Sequence, residues 1–191
     1  MSDPFDCQWR LWIAEHIYER AHLTAKFQLR SGELRSEHFD KYRFESDPRL
    51  LHEIAQELVS LLPARVDALA GLELGGAPLA PVYSQVSGVQ TLFVRKDAKR
   101  HGTRQLAEGG AVAGARLAII EDVITSGGGV IVTSRKLRQE GASIVTVLCV
   151  IDRQAGGAAN LGRAGLELCS LFTVSELRSL GQSQRNARAG R

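Results

Sequence analysis

The chain has 191 residues, 44% of them hydrophobic and 24% charged, which fits one globular domain able to bury a core without metal or disulfide staples. No apolar stretch approaches the length of a membrane span, and Asp3, Asp6 and Arg10 break the order a signal peptide needs, so a cytoplasmic protein with no membrane partner is expected. The net charge of +3 resides in Arg185, Arg188 and Arg191 of an acid-free tail at 182–191; without them 21 basic residues face 21 acidic ones, which argues against a nucleic-acid-binding surface.

From 5 to about 27, apolar residues recur every three or four positions (Trp9, Trp12, Ile13, Ile17), predicting an amphipathic helix that could cover a sheet or a partner subunit. The period is lost from 30 to 44, where a glycine and alternating Phe39, Tyr42 and Phe44 suggest a hairpin or hood over a site. Asp47-Pro48 then supplies a helix start, with a buried stripe of Leu51, Ile54, Leu58 and Leu61 up to Pro63. Short apolar runs follow at 68–72, 88–94, 116–120, 143–151 and 166–172, alternating with helical patterns near 77–86 and 128–140. That alternation predicts an α/β fold, a mostly parallel sheet flanked by helices, whose ligands bind beyond the carboxyl ends of the strands. The segment 97–114 is polar, glycine-bearing and long for a connection between neighbouring strands, so it reads as a lid. A single domain over 1–181, with a hood at about 20–45 and a disordered basic tail at 182–191, completes the expected organisation. Cys7, Cys149 and Cys169 have no metal-ligand spacing and read as reduced core residues.

Residues 117–130, Leu-Ala-Ile-Ile-Glu-Asp-Val-Ile-Thr-Ser-Gly-Gly-Gly-Val, carry the most chemical information: an apolar strand ends in two carboxylates, and a turn of small residues opens a helix. Thr125, Ser126, Gly127 and Gly128 offer backbone N–H groups to a phosphate at a helix N-terminus. Glu121 and Asp122 repel phosphate, and so are better suited to ribose hydroxyls, gripped directly or through Mg²⁺. Neither Gly-Lys-Ser/Thr nor G-x-G-x-x-G is present, which sets aside the P-loop and dinucleotide readings. The bland alternative is an ordinary strand-to-helix turn with solvated acids. Arg95, Lys96, Lys99 and His101 gather up to four cationic donors within seven residues, on a segment able to close and exclude water, although charged loops of this kind are commonly just solvated. Asp152-Arg153, past another strand end, would by itself be a surface ion pair.

The run Glu121-Asp122-Val123-Ile124-Thr125-Ser126-Gly127-Gly128 resembles the phosphoribosyl-diphosphate (PRPP) signature of type I phosphoribosyltransferases. Residues 93–102, Phe-Val-Arg-Lys-Asp-Ala-Lys-Arg-His-Gly, look like the mobile catalytic loop of the orotate phosphoribosyltransferase family, and Ile151-Asp152-Arg153-Gln154 looks like its orotate-contacting strand end. With Ser31-Gly32 and Gly71-Leu72-Glu73-Leu74-Gly75-Gly76, the resemblance runs from about 20 to 180. It implies a type I phosphoribosyltransferase fold with a small N-terminal hood. It also implies conversion of orotate and PRPP to orotidine 5′-monophosphate and pyrophosphate in pyrimidine (UMP) biosynthesis, with Mg²⁺ entering through PRPP and Glu121 and Asp122 as candidate ligands. Carried over, Lys99, His101 and Asp122 are the catalytic candidates, and Arg95, Lys96, Lys99 and His101 contact pyrophosphate. Glu121 and Asp122 hold the ribose, Val123 and Ile124 lead into the phosphate cradle of Thr125 to Gly128, and Arg153, Thr125, Arg30 and Phe39 face orotate. A planar two-pronged guanidinium suits a carboxylate, the role implied for Arg153. The family is implied to be a homodimer whose loop reaches the neighbouring subunit's site.

Two departures stand out. Where the family commonly has a pyrophosphate-contacting lysine, this chain has Leu74-Gly75-Gly76, and the N–H groups of Gly75 and Gly76 could replace it as an anion nest. Near the N-terminus Ser36-Glu37-His38-Phe39 stands, shifted by one, for Ser-Pro-Tyr-Phe-Phe, while Arg30 replaces a base-contacting lysine. The alternatives are a phosphoribosyltransferase for another base and a non-catalytic PRPP-sensing regulator.

Overall fold

The computed structural model describes residues 4–28, 34–97 and 105–189, with side chains described at 8–22, 40–97 and 105–181. Contacts divide the chain into two compact units, Met1–Glu53 with Val174–Arg191, and Ile54–Thr173.

The first unit contains α1 (Pro4–Ala21), β1 (His22–Gln28), β2 (Leu34–Phe39), α2 (Tyr42–Glu45), the start of α3 (Pro48–Val59) and the last helix, α7 (Val174–Ala189). The first helix stops six residues short of its expected end. Beyond Ala21 the pattern changes to period two, with Leu23, Ala25 and Phe27 alternating against polar neighbours, and the chain becomes β1. It pairs antiparallel with β2 through His22↔Phe39 and Leu23↔His38, so the hairpin starts eight residues before the expected 30–44 and takes its first strand from the end of the expected helix. The tail also departs from expectation, because 182–189 continues α7. Its Gln, Arg and Ala residues are good helix formers. Helix α7 packs on α1, and a Cβ at Gly181 would fall 2.2 Å from the Tyr18 ring, so only glycine permits that approach. Asp47 caps α3 as its position predicts, Oδ1 accepting from the N–H groups of Arg49 (3.0 Å) and Leu50 (2.9 Å), while Oδ2 pairs with Arg20 at 2.7 Å.

The second unit is built on a six-stranded sheet. Its elements are β3 (Ala68–Leu72), α4 (Gly76–Ser87), β4 (Gln90–Val94), β5 (Ala107–Glu108), β6 (Arg116–Ile124), α5 (Gly128–Gln139), β7 (Ser143–Asp152), α6 (Gly157–Arg163) and β8 (Leu168–Thr173). The strand order is β5-β4-β3-β6-β7-β8, parallel throughout except for the antiparallel edge pair β4–β5. All five residues of β3 are buried, so both faces of this strand are covered, as an uninterrupted apolar run in a parallel sheet requires. Five expected strands match β3, β4, β6, β7 and β8, but β6 runs on to Ile124. Glu121 and Asp122 therefore lie within its paired length, opposite β7 through Glu121↔Cys149, rather than past its end. Helix α6 escaped the sequence reading because it is seven residues long, contains two glycines and shows no apolar period. Cys149 is a buried free thiol, pushed up by burial first and then by the nearby Asp152, Glu121 and Asp122 carboxylates; the partly buried Cys169 is also free.

At the opposite end of β3 and β6, Asp67 and Arg116 close a reciprocal clamp. The Asp67 N–H donates to the Arg116 carbonyl (2.8 Å), and the Asp67 carboxylate accepts from the Arg116 backbone N–H (2.8 Å), Nε (3.0 Å) and Nη2 (2.7 Å). The Arg116 side chain holds the Asp67 carboxyl down to about 2, below its ordinary 3.8. A depressed acid contributes stability that is fully present above the unfolded value and lost as pH falls through the folded one. Asp67→Asn should therefore be less stable than the parent at neutral pH, with the difference vanishing by pH of about 2. Urea midpoints across that range measure it, and a gap independent of pH would contradict the clamp.

Candidate functional site

The strand order places a switch point between β3 and β6: from β3 the chain moves outward to β4, whereas from β6 it moves the other way to β7 and β8. Neighbouring connections that diverge in this way leave a crevice at the carboxyl ends of the two strands. Into it come the loop after β3, the acids of β6 and the turn that opens α5.

The turn has the geometry of an anion cradle. Gly127, at the N-cap of α5, takes φ 73° and ψ 2°, a left-handed conformation that a side chain would strain, and its carbonyl accepts the Ile131 N–H at 3.0 Å. Thr125, Ser126, Gly128 and Gly129 are exposed there. Support comes from α6. Asn160 Nδ2 donates to the Ser126 carbonyl at 2.8 Å, and a Cβ at Gly157 would lie 2.7 Å from the Thr125 carbonyl oxygen, so α6 sits directly behind the turn.

The acids meet the loop after β3. Asp122 is buried, 2% exposed, and its Oδ1 accepts from the Val123 N–H. A Cβ on Gly75 would lie 2.6 Å from Glu121 Oε2 and 2.7 Å from each Asp122 carboxylate oxygen, and one on Gly76 would lie 1.7 Å from the Ile120 carbonyl oxygen. The two glycines thus exist for close approach. Gly75 has ordinary helical dihedrals (φ −63°, ψ −53°), not the left-handed alternation of an anion nest, so any anion contact here comes from the N-terminal N–H groups of α4. Three carboxylate oxygens converging on one backbone position would repel an anion unless a cation stood between them.

A cleft of about 440 Å³ opens beside this point, lined among others by Glu73, Arg95, Lys96, Glu121, Gly128 and Lys136. Arg95 and Lys96 follow β4, and the Arg95 N–H donates to the Leu106 carbonyl at 2.9 Å, next to the β4–β5 pairing Val94↔Ala107. The segment expected as a lid, 97–114, therefore contains β5, whose two residues belong to the sheet, while 98–104 lie outside the described residues. On the other side, the Arg153 N–H donates to the Ile124 carbonyl at 2.9 Å, which fixes the Arg153 main chain beside the start of the turn that opens α5. Asp152 Oδ1 accepts the Gln154 N–H at 2.8 Å and shapes the chain after β7.

Residues 47–161 match the phosphoribosyl transferase domain family. The chain is 49% identical over 165 residues to the orotate phosphoribosyltransferase of Nocardioides sp. (strain ATCC BAA-499 / JS614), covering 86% of this chain and 92% of that one. The chain belongs to the orotate phosphoribosyltransferase family. Solved relatives agree with the fold. Mycobacterium tuberculosis H37Rv orotate phosphoribosyltransferase in complex with Fe(III) dicitrate aligns with a TM-score of 0.81 at 27% identity, over 88% of this chain and 98% of that one. The same protein in complex with PRPP gives a TM-score of 0.76 at 25% identity, over 88% and 98%.

For an orotate phosphoribosyltransferase relative, the expected site residues fall into three groups. Gly75, Gly76, Arg95, Lys96, Glu121, Asp122, Val123, Ile124, Thr125, Ser126, Gly127, Gly128 and Arg153 all belong to the unit Ile54–Thr173, at the carboxyl ends of β3, β4, β6 and β7. Phe39 ends β2 in the other unit, and its side chain lies outside the described ones. Lys99, His101 and Arg30 lie outside the described residues. Sequence reasoning missed Asn160, Glu73 and Lys136, whose contacts span 34, 23 and 40 positions, and no local pattern marks them.

Proposed function

We propose that this chain is an orotate phosphoribosyltransferase, joining orotate to the ribose 5-phosphate of PRPP and releasing pyrophosphate, in pyrimidine biosynthesis. The observation that carries the reading is the meeting, at the β3/β6 switch point, of a glycine cradle at a helix N-terminus, a carboxylate pair and a cleft bearing Arg95 and Lys96. The reaction breaks the ribose C1–O bond to pyrophosphate and forms a C1–N bond to the orotate ring, which loses its N–H proton. Positive charge develops on the ribose and negative charge on the departing pyrophosphate. In this reading Thr125 to Gly128 hold the 5-phosphate, Glu121 and Asp122 hold the ribose hydroxyls and favour the cationic ribose, and Arg95 and Lys96 meet the leaving charge. Arg153 takes the orotate carboxylate.

Among the described residues no group of three or more His, Cys, Asp or Glu could cage a metal, so Mg²⁺ would be held by Glu121 and Asp122 together with substrate oxygens. The carboxylate oxygens converging on Gly75 fit that arrangement, and the ion would neutralise pyrophosphate charge there. Lys99 and His101 complete the cationic set in this proposal, and Arg30 and Phe39 the orotate pocket. Among the described residues no helix is long and apolar enough to cross a membrane; a cytoplasmic location is part of the proposal.

Pyrophosphate release from PRPP and Mg²⁺, measured with orotate, uracil, adenine and hypoxanthine in turn, tests the base. Release dependent on orotate supports the assignment, and release with a purine alone overturns it. We further propose a homodimer in which Lys99 serves the neighbouring subunit's site. Co-refolding Lys99→Ala with Asp122→Asn should then restore about one working site per mixed dimer, because one site collects both defects. Mixed dimers no more active than the average of the two variants would exclude sharing.

A further inference from the structure

The backbone around Lys96 is held from three directions. Before it, the Arg95 N–H donates to the Leu106 carbonyl at 2.9 Å. Its own N–H donates to Glu73 Oε2 at 3.3 Å, from the loop after β3. Its carbonyl accepts from Lys136 Nζ at 2.8 Å, and the same ammonium reaches Asp97 Oδ1 at 2.9 Å. Lys136 belongs to α5, the helix whose N-terminal turn is the phosphate cradle. One ammonium thus ties the exit of β4 to the helix that begins at Gly128.

We infer that Lys136 is a positioning residue, which orients Arg95 and Lys96 toward pyrophosphate by fixing their main chain to the phosphate-binding helix. The inference rests on the proposed roles of Arg95 and Lys96. Arginine and lysine side chains lose much rotamer freedom when they grip a ligand, and a main chain fixed beforehand lowers the ordering that binding demands. The two contacts of Lys136 are unequal. The Asp97 side chain is 81% exposed, so an ion pair to it is screened by water and contributes little. The bond to the Lys96 carbonyl acts on the main chain immediately after the two cations and is the one that positions them. Pyrophosphate and the 5-phosphate belong to one substrate, so the tie also sets the spacing between the sites that hold its two ends. Orotate makes no use of this spacing, and its binding should not sense it.

The test compares Lys136→Met, Lys136→Arg and Asp97→Asn with Lys96→Ala, using calorimetric affinity for PRPP with Mg²⁺, KM for each substrate and the melting temperature. Methionine keeps the length and helix propensity of lysine, so folding should be retained. Loss of the tie should weaken PRPP binding about three- to tenfold, the net effect of one ordinary hydrogen bond, since the Lys136 side chain is 35% exposed and water screens its charge. The orotate KM and melting temperature should stay near the parent values, Lys136→Arg should recover most of the loss, and Asp97→Asn should have the smaller effect. Unchanged PRPP affinity in Lys136→Met, an equal rise in both KM values, or a loss that follows a lowered melting temperature would overturn the inference. If Lys96→Ala weakens PRPP and Lys136→Met does not, this inference alone fails. If Lys96→Ala also leaves PRPP binding untouched, the cation roles fail and the inference falls with them.

Discussion

Gly76→Ala should lower the melting temperature by about 6–12 °C and abolish most activity, since severe overpacking costs ~3 kcal/mol and a chain of this size shifts roughly 2–4 °C per kcal/mol. The added methyl carbon would stand 1.7 Å from the Ile120 carbonyl oxygen and 2.6 Å from its carbon. Both atoms belong to the backbone of a central strand, so neither can rotate aside. Helix α4, which packs on β3, β4 and β6, must lift away, and it would carry Gly75 off the carboxylates. Gly162→Ala in α6 is the control, because a Cβ there meets nothing within 4 Å and alanine is the better helix former. Differential scanning calorimetry of the two variants decides the matter. A Gly76→Ala protein melting with the parent would mean that the helix does not sit as close to β6 as described.

Asp122→Asn acts on chemistry rather than on packing. It keeps the side-chain shape and an oxygen able to accept the Val123 N–H, so the melting temperature should hardly move. The carboxylate charge is lost, and with it, in the proposed reaction, the partner of a cationic ribose, at a position where burial makes charge count for more. A fall of about 2–4 kcal/mol in transition-state stabilisation is expected, roughly 30- to 700-fold in kcat/KM. Steady-state kinetics with both substrates measures it, and turnover near that of the parent would remove the buried acid from the mechanism.

Much of this arrangement is legible in the chain because it is local. The run of apolar residues, two acids, small residues and glycine at 117–130 encodes strand, site and helix start in one stretch, and β6 and α5 follow it. Strand β3 is legible to the residue, since five small or apolar residues stand between Asp67 and Glu73. What was missed is non-local or weakly patterned. The carboxylates were placed past a strand end because acids usually stop a buried run, but pairing with β7 carries β6 four residues further. The glycines after β3 suggested an anion nest, and only the structure shows that they admit carboxylates and a strand backbone. Asn160, Glu73 and Lys136 act through single long-range hydrogen bonds, which leave no periodic signature. The change from helix to strand at Ala21 was hidden because apolar residues continue on both sides and only their period changes.

The central claim is that the crevice between β3 and β6 is the PRPP site, and a crystal structure of the protein with PRPP and Mg²⁺ tests it most directly. The 5-phosphate should lie on the N–H groups of residues 125–128, the ribose hydroxyls against Glu121 and Asp122, and the pyrophosphate between the loop at Gly75 and the Arg95–Lys96 side of the cleft. Density for PRPP at another place, or a ribose turned away from both acids, would contradict it.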